Sequence, residues 1–593
     1  MIQDIRSAKD VWKKMMTVLT LPQKKIGIIV MIMSIIGAVL ETLGVSVIIP
    51  IMQAMVYPEE LFENKYFASV LRLLGITHTD DVILFTCVLM IVVYLIKNLY
   101  LILLSWVRAR YSSRVKRELS VRVMKSYMSR DYSFFLNTTK GNLYRGTMDD
   151  AEGTYIIVYN GFHLISEVMT DLFICIYLLM IDVKMALCVI IVGILCLVLV
   201  IGVMRPWVKK LGSQKYKYSS LVYKYMMEAY NGIKEITVMQ RRAYFTAKYE
   251  RAYAEQQRAE ADSTVSAESP AYIIEAICVS GIMAALALRV QQMNDPSMFL
   301  PMLSAFAIAA FRILPSLGRI SNSFNSMIYK FPYLDDAYNV IKEVESKANV
   351  SNSNHLGVKN GMGENDHFTD KISIDNVSFR YDSLESNVCN SISMTINCGD
   401  SIGIVGESGS GKSTLVNILL GLLKPQSGCI IVDGKNISDI PIKWSDMIGY
   451  VPQSVYLMDD SIRNNVAFGK DEIDDDKVWK CLEEAQIADF VRNLGDGLET
   501  LVGDRGMRIS GGQCQRIAIA RALYNDPDIL VFDEATSALD NATEAELIKS
   551  IESFHGKKTL IIVAHRLTTI QKCDIIYEIA DGKARELSKR SEF

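Results

Sequence analysis

The sequence predicts two domains of different class: an all-α membrane domain of six spanning helices, then an α/β phosphate-loop domain. Three observations carry this. Long apolar runs crowd the first part of the chain, between Ile26 and Leu317. From Ile372 onward, short β-rich runs such as SIGIVG, CIIVDG, DILVFDEA and TLIIVAHR alternate with helical stretches. Between them, Glu345–His367 (ESKANVSNSNHLGVKNGMGENDH) is rich in Asn, Ser and Gly and lacks periodicity, as flexible linkers do. The expected organisation is 1–25 a cytoplasmic N-terminal segment, 26–330 the membrane domain, 331–370 a linker and 371–593 the phosphate-loop domain.

Composition agrees. The 593 residues are 50% hydrophobic yet 22% charged, with a net charge of −3. This excludes global disorder and low complexity, and argues against a polyanion such as nucleic acid as the main partner. The eleven cysteines are scattered without a CxxC pair, several in apolar runs (Cys87, Cys175, Cys188, Cys278), so a secreted disulfide scaffold is excluded.

The membrane segments are expected at Ile26–Ile51, Val82–Trp106, Ile156–Ile181, Val183–Met204, Tyr272–Val290 and Met298–Leu317. Each approaches or exceeds the roughly 20 helical residues that cross a hydrocarbon core. The first run is too long for a cleavable signal peptide and carries Pro50 in place of a small-residue exit. Lys9, Lys13, Lys14, Lys24 and Lys25 precede segment one. Arg108, Arg110, Arg114, Lys116 and Arg117 follow segment two, and Arg205, Lys209 and Lys210 follow segment four. Positive charge on those sides places both termini in the cytoplasm. Between segments one and two, Pro58–Leu74 has Phe62, Tyr66, Val70 and Leu73 on one stripe. This fits a helix lying in the outer interface, or one packed on its neighbours' ends. Val107–Tyr155 and Arg205–Pro270 read as helical extensions into the cytoplasm.

Ionisable residues inside apolar segments are functional candidates because of their cost. Lys97, Arg312 and Arg319 are the cations, the arginines seven residues apart on one helix face. Glu41 and Glu275 are the acids. The competing structural readings are that Lys97 and Arg319 snorkel to an interface or pair with an acid.

In the second domain, strand Ser401–Val405 runs into Gly406, Glu407, Ser408, Gly409, Ser410, Gly411, Lys412 and Ser413, a complete G-x-x-x-x-G-K-S loop followed by Thr414. Glycines let backbone N–H groups face phosphate oxygens, Lys412 reaches the β/γ phosphates, and Ser413 suits Mg²⁺. A second strand, Ile529–Phe532, ends in Asp533 and Glu534. The first suits Mg²⁺, the second a base for the attacking water. Ser510, Gly511, Gly512 and Gln513 open a helix as an anion site would.

These motifs, in this order, resemble the ATP-binding cassette of ABC transporters. The resemblance implies that Tyr381 stacks on adenine and that Gln453, in YVPQS, touches Mg²⁺ and the attacking water. It further implies that Ser537–Asp540 (SALD) is the D-loop and that His565 is the switch histidine at the γ-phosphate. Glu534, His565 and Gln453 would then be catalytic, Ser413, Gln453 and Asp533 would hold Mg²⁺, and ATP would lie between this loop and the SGGQ of a second cassette. Ile509 and Cys514 depart from the family's usual leucine and polar residue. With one cassette and every motif present, a homodimer is the economical partner; a heterodimer with a degenerate partner stays open.

Six segments before one cassette resemble the half-transporter exporters. Phe134–Arg145 is similar to that family's first coupling-helix region, and Asn231–Phe245 to the segment leading into the second. Leu40–Pro50 and Phe311–Arg319 resemble the bacterial lipid-linked-oligosaccharide flippases. This implies ATP-driven movement of a polyprenyl-pyrophosphate glycan across the bacterial inner membrane, with membrane lipids around it and Lys97, Arg312 and Arg319 at the headgroup. Pro270-Ala271 departs from that family, which has a further arginine there. Export of another lipid or an amphipathic drug uses the same ATPase residues and stays open. A ligand-gated channel would not need Glu534, and six spans set aside the soluble ABC ATPases. An appended protease domain has no room before segment one.

Overall fold

A computed structural model describes residues 2–46, 79–181, 183–290, 299–355, 367–382, 384–503, 506–535, 541–564 and 570–587. The expected outer stretch Pro58–Leu74, the D-loop Ser537–Asp540 and His565 lie outside the described residues. The chain divides into two compact units, residues 1–130 with 135–353, and residues 131–134 with 354–593.

The first unit is helical throughout. Its elements are α1 (Ile2–Val18), α2 (Leu21–Ser46), α3 (Thr79–Met128), the end of the short α4 (Tyr132–Asn137), whose residues 132–134 belong to the second unit, α5 (Lys140–Ile181), α6 (Val183–Asn231), the short α7 (Ile233–Val238), α8 (Arg242–Val290) and α9 (Phe299–His355) up to residue 353. The apolar segments of α3, α5, α6, α8 and α9 are continuous with polar extensions, so α3 is 50 residues long and α9 57. Four helices among the described residues are long and apolar enough to cross a membrane, within α2, α3, α5 and α6. On α3, Leu95 and Leu99 are 66% and 71% exposed. An apolar face left outside the protein core suits lipid, not water.

The chain meant as linker begins as helix: α9 runs through Pro332 to His355, beyond residue 331. Its stretch Asp335–Lys347 (DDAYNVIKEVESK) is composed largely of residues that tolerate helix, and Asn and Ser only later dominate. Residues 356–366 lie outside the described set.

Helices in this unit approach closely through glycine. A methyl at Gly212 on α6 would sit 2.3 Å from the Tyr329 carbonyl oxygen of α9, and one at Gly153 on α5 would sit 2.4 Å from Tyr333 Cβ. Both glycines lie in the polar extensions, where the missing side chain lets the backbones close to van der Waals contact. An apolar core of Ile174, Leu178, Cys196, Val200, Ile274 and Cys278 joins α5, α6 and α8.

The second unit is α/β. A four-stranded antiparallel sheet runs in the order β2 (Cys389–Asn397), β1 (Lys371–Phe379), β4 (Ser427–Val432), β5 (Lys435–Asn436). Ile374 lies opposite both Met394 and Ile430. The second sheet has the order β10 (Lys583–Leu587), β9 (Ile575–Ala580), β3 (Ser401–Val405), β8 (Thr559–Val563), β7 (Ile529–Asp533), β6 (Ile448–Val451). Its strands are parallel except for the edge strand β10. β7 and β8 are buried at every residue, as central parallel strands are. In open parallel sheets, ligands gather outside the carboxyl ends of the strands. The ends of β3 and β7, both neighbours of β8, therefore set the site.

Candidate nucleotide site and a charged membrane cluster

The phosphate loop leaves the end of β3 and enters helix α10 (Lys412–Leu419) at Gly411, which is left-handed at φ 105°. Gly406 has φ 149°, and a Cβ there would meet the Ile579 carbonyl oxygen at 2.3 Å. Only glycine fits either place. Lys412 is buried, and its Nζ donates to the carbonyl oxygens of Gly406 and Glu407, both at 2.9 Å. The lysine thus holds its own loop in a closed ring. Ser408, Gly409 and Ser413 are exposed at the same loop, Glu407 with them.

Asp533 ends β7 and is 8% exposed. Its Oδ2 accepts from the Tyr450 hydroxyl at 3.4 Å, while its Oδ1 is buried without a hydrogen-bond partner. Burial raises its pKa above the ordinary carboxylate value, with Glu534 adding to the shift; the Tyr450 bond and Lys412 oppose it. An orphaned carboxylate oxygen among donors of this kind is a fitting place for a hard divalent cation.

Glu534 follows with φ 49°, an uncommon backbone for a non-glycine residue. Its N–H donates to the Val563 carbonyl at 2.9 Å. The Gln453 side chain meets it, Nε2 to Oε2 at 2.5 Å. The fold thus brings Gln453, 81 residues upstream, to the end of β7.

Tyr381 packs edge-on against Phe379, ring centroids 5.0 Å apart, and its hydroxyl lies 3.2 Å from Thr414 Oγ1. The expected adenine platform is therefore tied to the first turn of α10. Thr414 itself is buried.

Ser510 caps the helix α11 (Gly511–Leu523) in a complete capping box. Its hydroxyl accepts from Gln513 N–H, and Gln513 Oε1 accepts from Ser510 N–H at 2.8 Å. Ser510 and Gly511 are exposed, while Gly512 is buried. Cys514 turns its sulfur inward, 3.9 Å from the Gly506 carbonyl oxygen, and burial pushes its thiol pKa up. The departure at Cys514 is thus a packing position.

One residue escaped sequence reasoning here. Arg521, at the end of α11, donates to the Tyr456 carbonyl at 2.7 Å, to the Asn465 carbonyl at 2.8 Å and to Asn465 Oδ1 at 2.9 Å. It ties α11 to the segment that follows Gln453. A single arginine in a helical run gives no warning of this.

In the first unit, the candidate arginines have partners. Arg312 forms an ion pair with Glu41, whose Oε2 also accepts from Thr170 Oγ1 at 3.1 Å. Arg319 grips Glu167 with two nitrogens, Nε to Oε1 at 2.8 Å and Nη2 to Oε2 at 2.9 Å, and Ser316 adds a third bond at 2.8 Å. Glu167, the partner that matters most, carried no weight in the sequence. Lys97 has no carboxylate partner among the described residues; its Nζ lies 4.1 Å from the Tyr94 ring centroid. Glu275 is exposed. The structure brings the two arginine pairs onto α2, α5 and α9, and leaves Lys97 on α3 beside Gly44.

Two family models match the chain, "ABC transporter transmembrane region" over residues 28–308 and "ABC transporter" over 389–537. The chain is 41% identical over 224 residues to the ATP-dependent lipid A-core flippase of Cupriavidus metallidurans, covering 37% of each. It is 42% identical over 224 residues to the mitochondrial iron-sulfur clusters transporter ATM1 of Kluyveromyces lactis, covering 37% of this chain and 31% of that one. The chain spans only 20% of ABC transporter B family member 21 of Arabidopsis thaliana and 38% of the uncharacterized ABC transporter ATP-binding protein YwjA of Bacillus subtilis. A solved bacterial Atm1-family ABC exporter with ATP bound superimposes with a TM-score of 0.73 at 23% identity, covering 93% of this chain and 95% of that one. That likeness establishes the fold, a helical membrane domain with an α/β nucleotide-binding domain.

Proposed function

We propose, for a chain that belongs to the ABC transporters, that it is an ATP-driven flippase working as a homodimer in the bacterial cytoplasmic membrane, both termini in the cytoplasm. Its cargo is a polyprenyl-pyrophosphate-linked oligosaccharide, moved from the inner to the outer leaflet. The observation that carries the ATPase part is the meeting of Gln453 and Glu534 beside the buried Asp533 and the lysine-closed loop.

Glu534 is the base that takes the proton of the attacking water, and Gln453 holds that carboxylate in place. Asp533, Ser413 and Gln453 would hold Mg²⁺, which when bound neutralises charge on the phosphates. Lys412 exchanges its two carbonyl acceptors for phosphate oxygens. Tyr381 stacks the adenine, and His565 contacts the γ-phosphate. The SGGQ helix end of the second copy closes the site from the other side, so ATP favours the closed pair. That preference is the source of work on the membrane helices.

For the cargo, support comes from the arginines Arg312 and Arg319 within or beside apolar runs, each about a third exposed, and from relatives named as lipid flippases. Their pairing with Glu41 and Glu167 favours a second reading, a lipid of lower charge or an amphiphile. The deciding experiment is ATP-dependent flipping of a labelled polyprenyl-pyrophosphate oligosaccharide in proteoliposomes, with Glu534→Gln as the blank. Flipping absent from the blank supports the glycolipid. No flipping alongside active ATP hydrolysis moves the cargo to the second reading.

A further inference from the structure

The basic residues after Trp106 look alike in sequence, all charges at a membrane boundary. The structure separates one of them. Arg108 is 9% exposed, and its Nε is buried with no hydrogen-bond partner. It makes no ion pair among the described residues. One turn on, Ser112 is wholly buried with its hydroxyl also unpartnered. A guanidinium carries five donors and stays charged, so burial without an acceptor is costly.

The surroundings indicate the missing partner. The charged and phenolic groups whose fields reach Arg108 include Glu167 and Tyr159 on α5 and Tyr100 on its own helix. Glu167 is already taken, by two nitrogens of Arg319 and by Ser316. His163, one turn from Glu167, lies within the field of both Arg108 and Arg319, and its Nδ1 is 3.4 Å from Ser323 Oγ. Of the two guanidinium groups near this carboxylate, only that of Arg319 bonds it. Asp171, a turn beyond Glu167, is buried with Ser316, Glu167 and Arg319 around it. The cluster is reachable: the side chains of Arg319 and His163 are 35% and 30% exposed.

We infer that Arg108 is a headgroup-binding residue, which with Arg319 takes the phosphate of a membrane lipid. The inference rests on the flippase reading and gives its site a residue. A phosphate supplies the acceptors that Arg108 lacks, in the planar, two-pronged geometry a guanidinium favours. The lipid, not free phosphate, is the source, because Arg108 follows directly on the apolar run Val82–Trp106. That is the level of the bilayer at which headgroups lie.

The test is binding of polyprenyl pyrophosphate and of polyprenol, which lacks the phosphates, to the full-length protein in phosphatidylcholine nanodiscs. The wild type should prefer the pyrophosphate by tenfold or more. Arg108→Gln should lose most of that preference while binding polyprenol as before, and Arg108→Lys should recover part of it. If Arg108→Gln binds neither lipid, Arg108→Lys decides: a reduced preference supports the inference, an unchanged one overturns it. A full preference in Arg108→Gln overturns it directly. So does displacement by inorganic pyrophosphate at matched concentration, which would mark a free-anion site. A wild type without preference also overturns it. The liposome flipping of the glycolipid separately shows whether the cargo reading has failed too.

Discussion

Gln453 Nε2 donates to Glu534 Oε2 across 2.5 Å, joining the turn after β6 to the end of β7. The amide holds a carboxylate whose backbone is left-handed, so the proposed base is oriented from both sides. General-base catalysis contributes roughly 10²–10⁴-fold. Glu534→Gln should therefore cut ATP turnover by at least about 100-fold while ATP binding persists, since the phosphate loop is untouched. Radiolabelled ATP trapping alongside phosphate release measures both. Normal turnover in this variant would falsify the assignment of the base.

The Tyr381 hydroxyl lies 3.2 Å from Thr414 Oγ1, and its ring is braced by Phe379. Stacking on a base is worth about 1–3 kcal/mol by alanine substitution. Tyr381→Ala should weaken ATP binding by roughly tenfold or more, and Tyr381→Phe by much less, because the ring remains. Equal losses in the two variants, read by equilibrium binding of a fluorescent ATP analogue, would assign the effect to the hydroxyl and not to stacking.

The cassette was legible because its chemistry is local. Gly406–Ser413 and Asp533–Glu534 each lie in one short run at a strand end, where the chain itself dictates the backbone. Four of the six expected spans, in α2, α3, α5 and α6, were legible because length and hydropathy define them. Pairings across long separations were not. Glu167 sits 152 residues from Arg319, in a segment whose acidic residues look like ordinary helix polarity. Arg108 reads as one more topogenic charge until packing buries it. Arg521 is similar: three acceptors from two distant segments converge on it, and no spacing encodes that.

Arg312 pairs with Glu41 and Arg319 with Glu167. Removing one partner of a buried ion pair costs about 3–5 kcal/mol, mostly from the charge left behind. About a third of Arg312 is exposed, so the lower end applies. Arg312→Ala should lower the protein's thermal stability, and Arg312→Ala with Glu41→Ala should restore much of it. Transport should stay impaired in the double variant if the guanidinium also serves cargo. Flipping that returns with stability would make the pair purely structural. By the same logic, Arg319→Ala should reduce flipping more than basal ATP hydrolysis.

At Gly212 α6 comes close to α9, its hypothetical Cβ 2.3 Å from the Tyr329 carbonyl oxygen and 3.1 Å from Tyr329 Cα. The obstacle is backbone, so no rotamer change relieves it. Neighbouring Val208 and Leu211 are buried against Ile328 and Tyr329, so pushing the helices apart opens that core. Overpacking of this kind costs about 1–3 kcal/mol, sometimes more. Gly212→Ala should lower the unfolding temperature, and Gly212→Val should lower it further. Gly202→Ala, on the same helix with nothing within 4 Å of its Cβ position, should be neutral or slightly stabilising, since alanine is the better helix former. Thermal unfolding in one detergent, comparing the three variants, checks the order. A Gly212→Val protein as stable as wild type would mean that α6 and α9 do not rest in contact at this crossing.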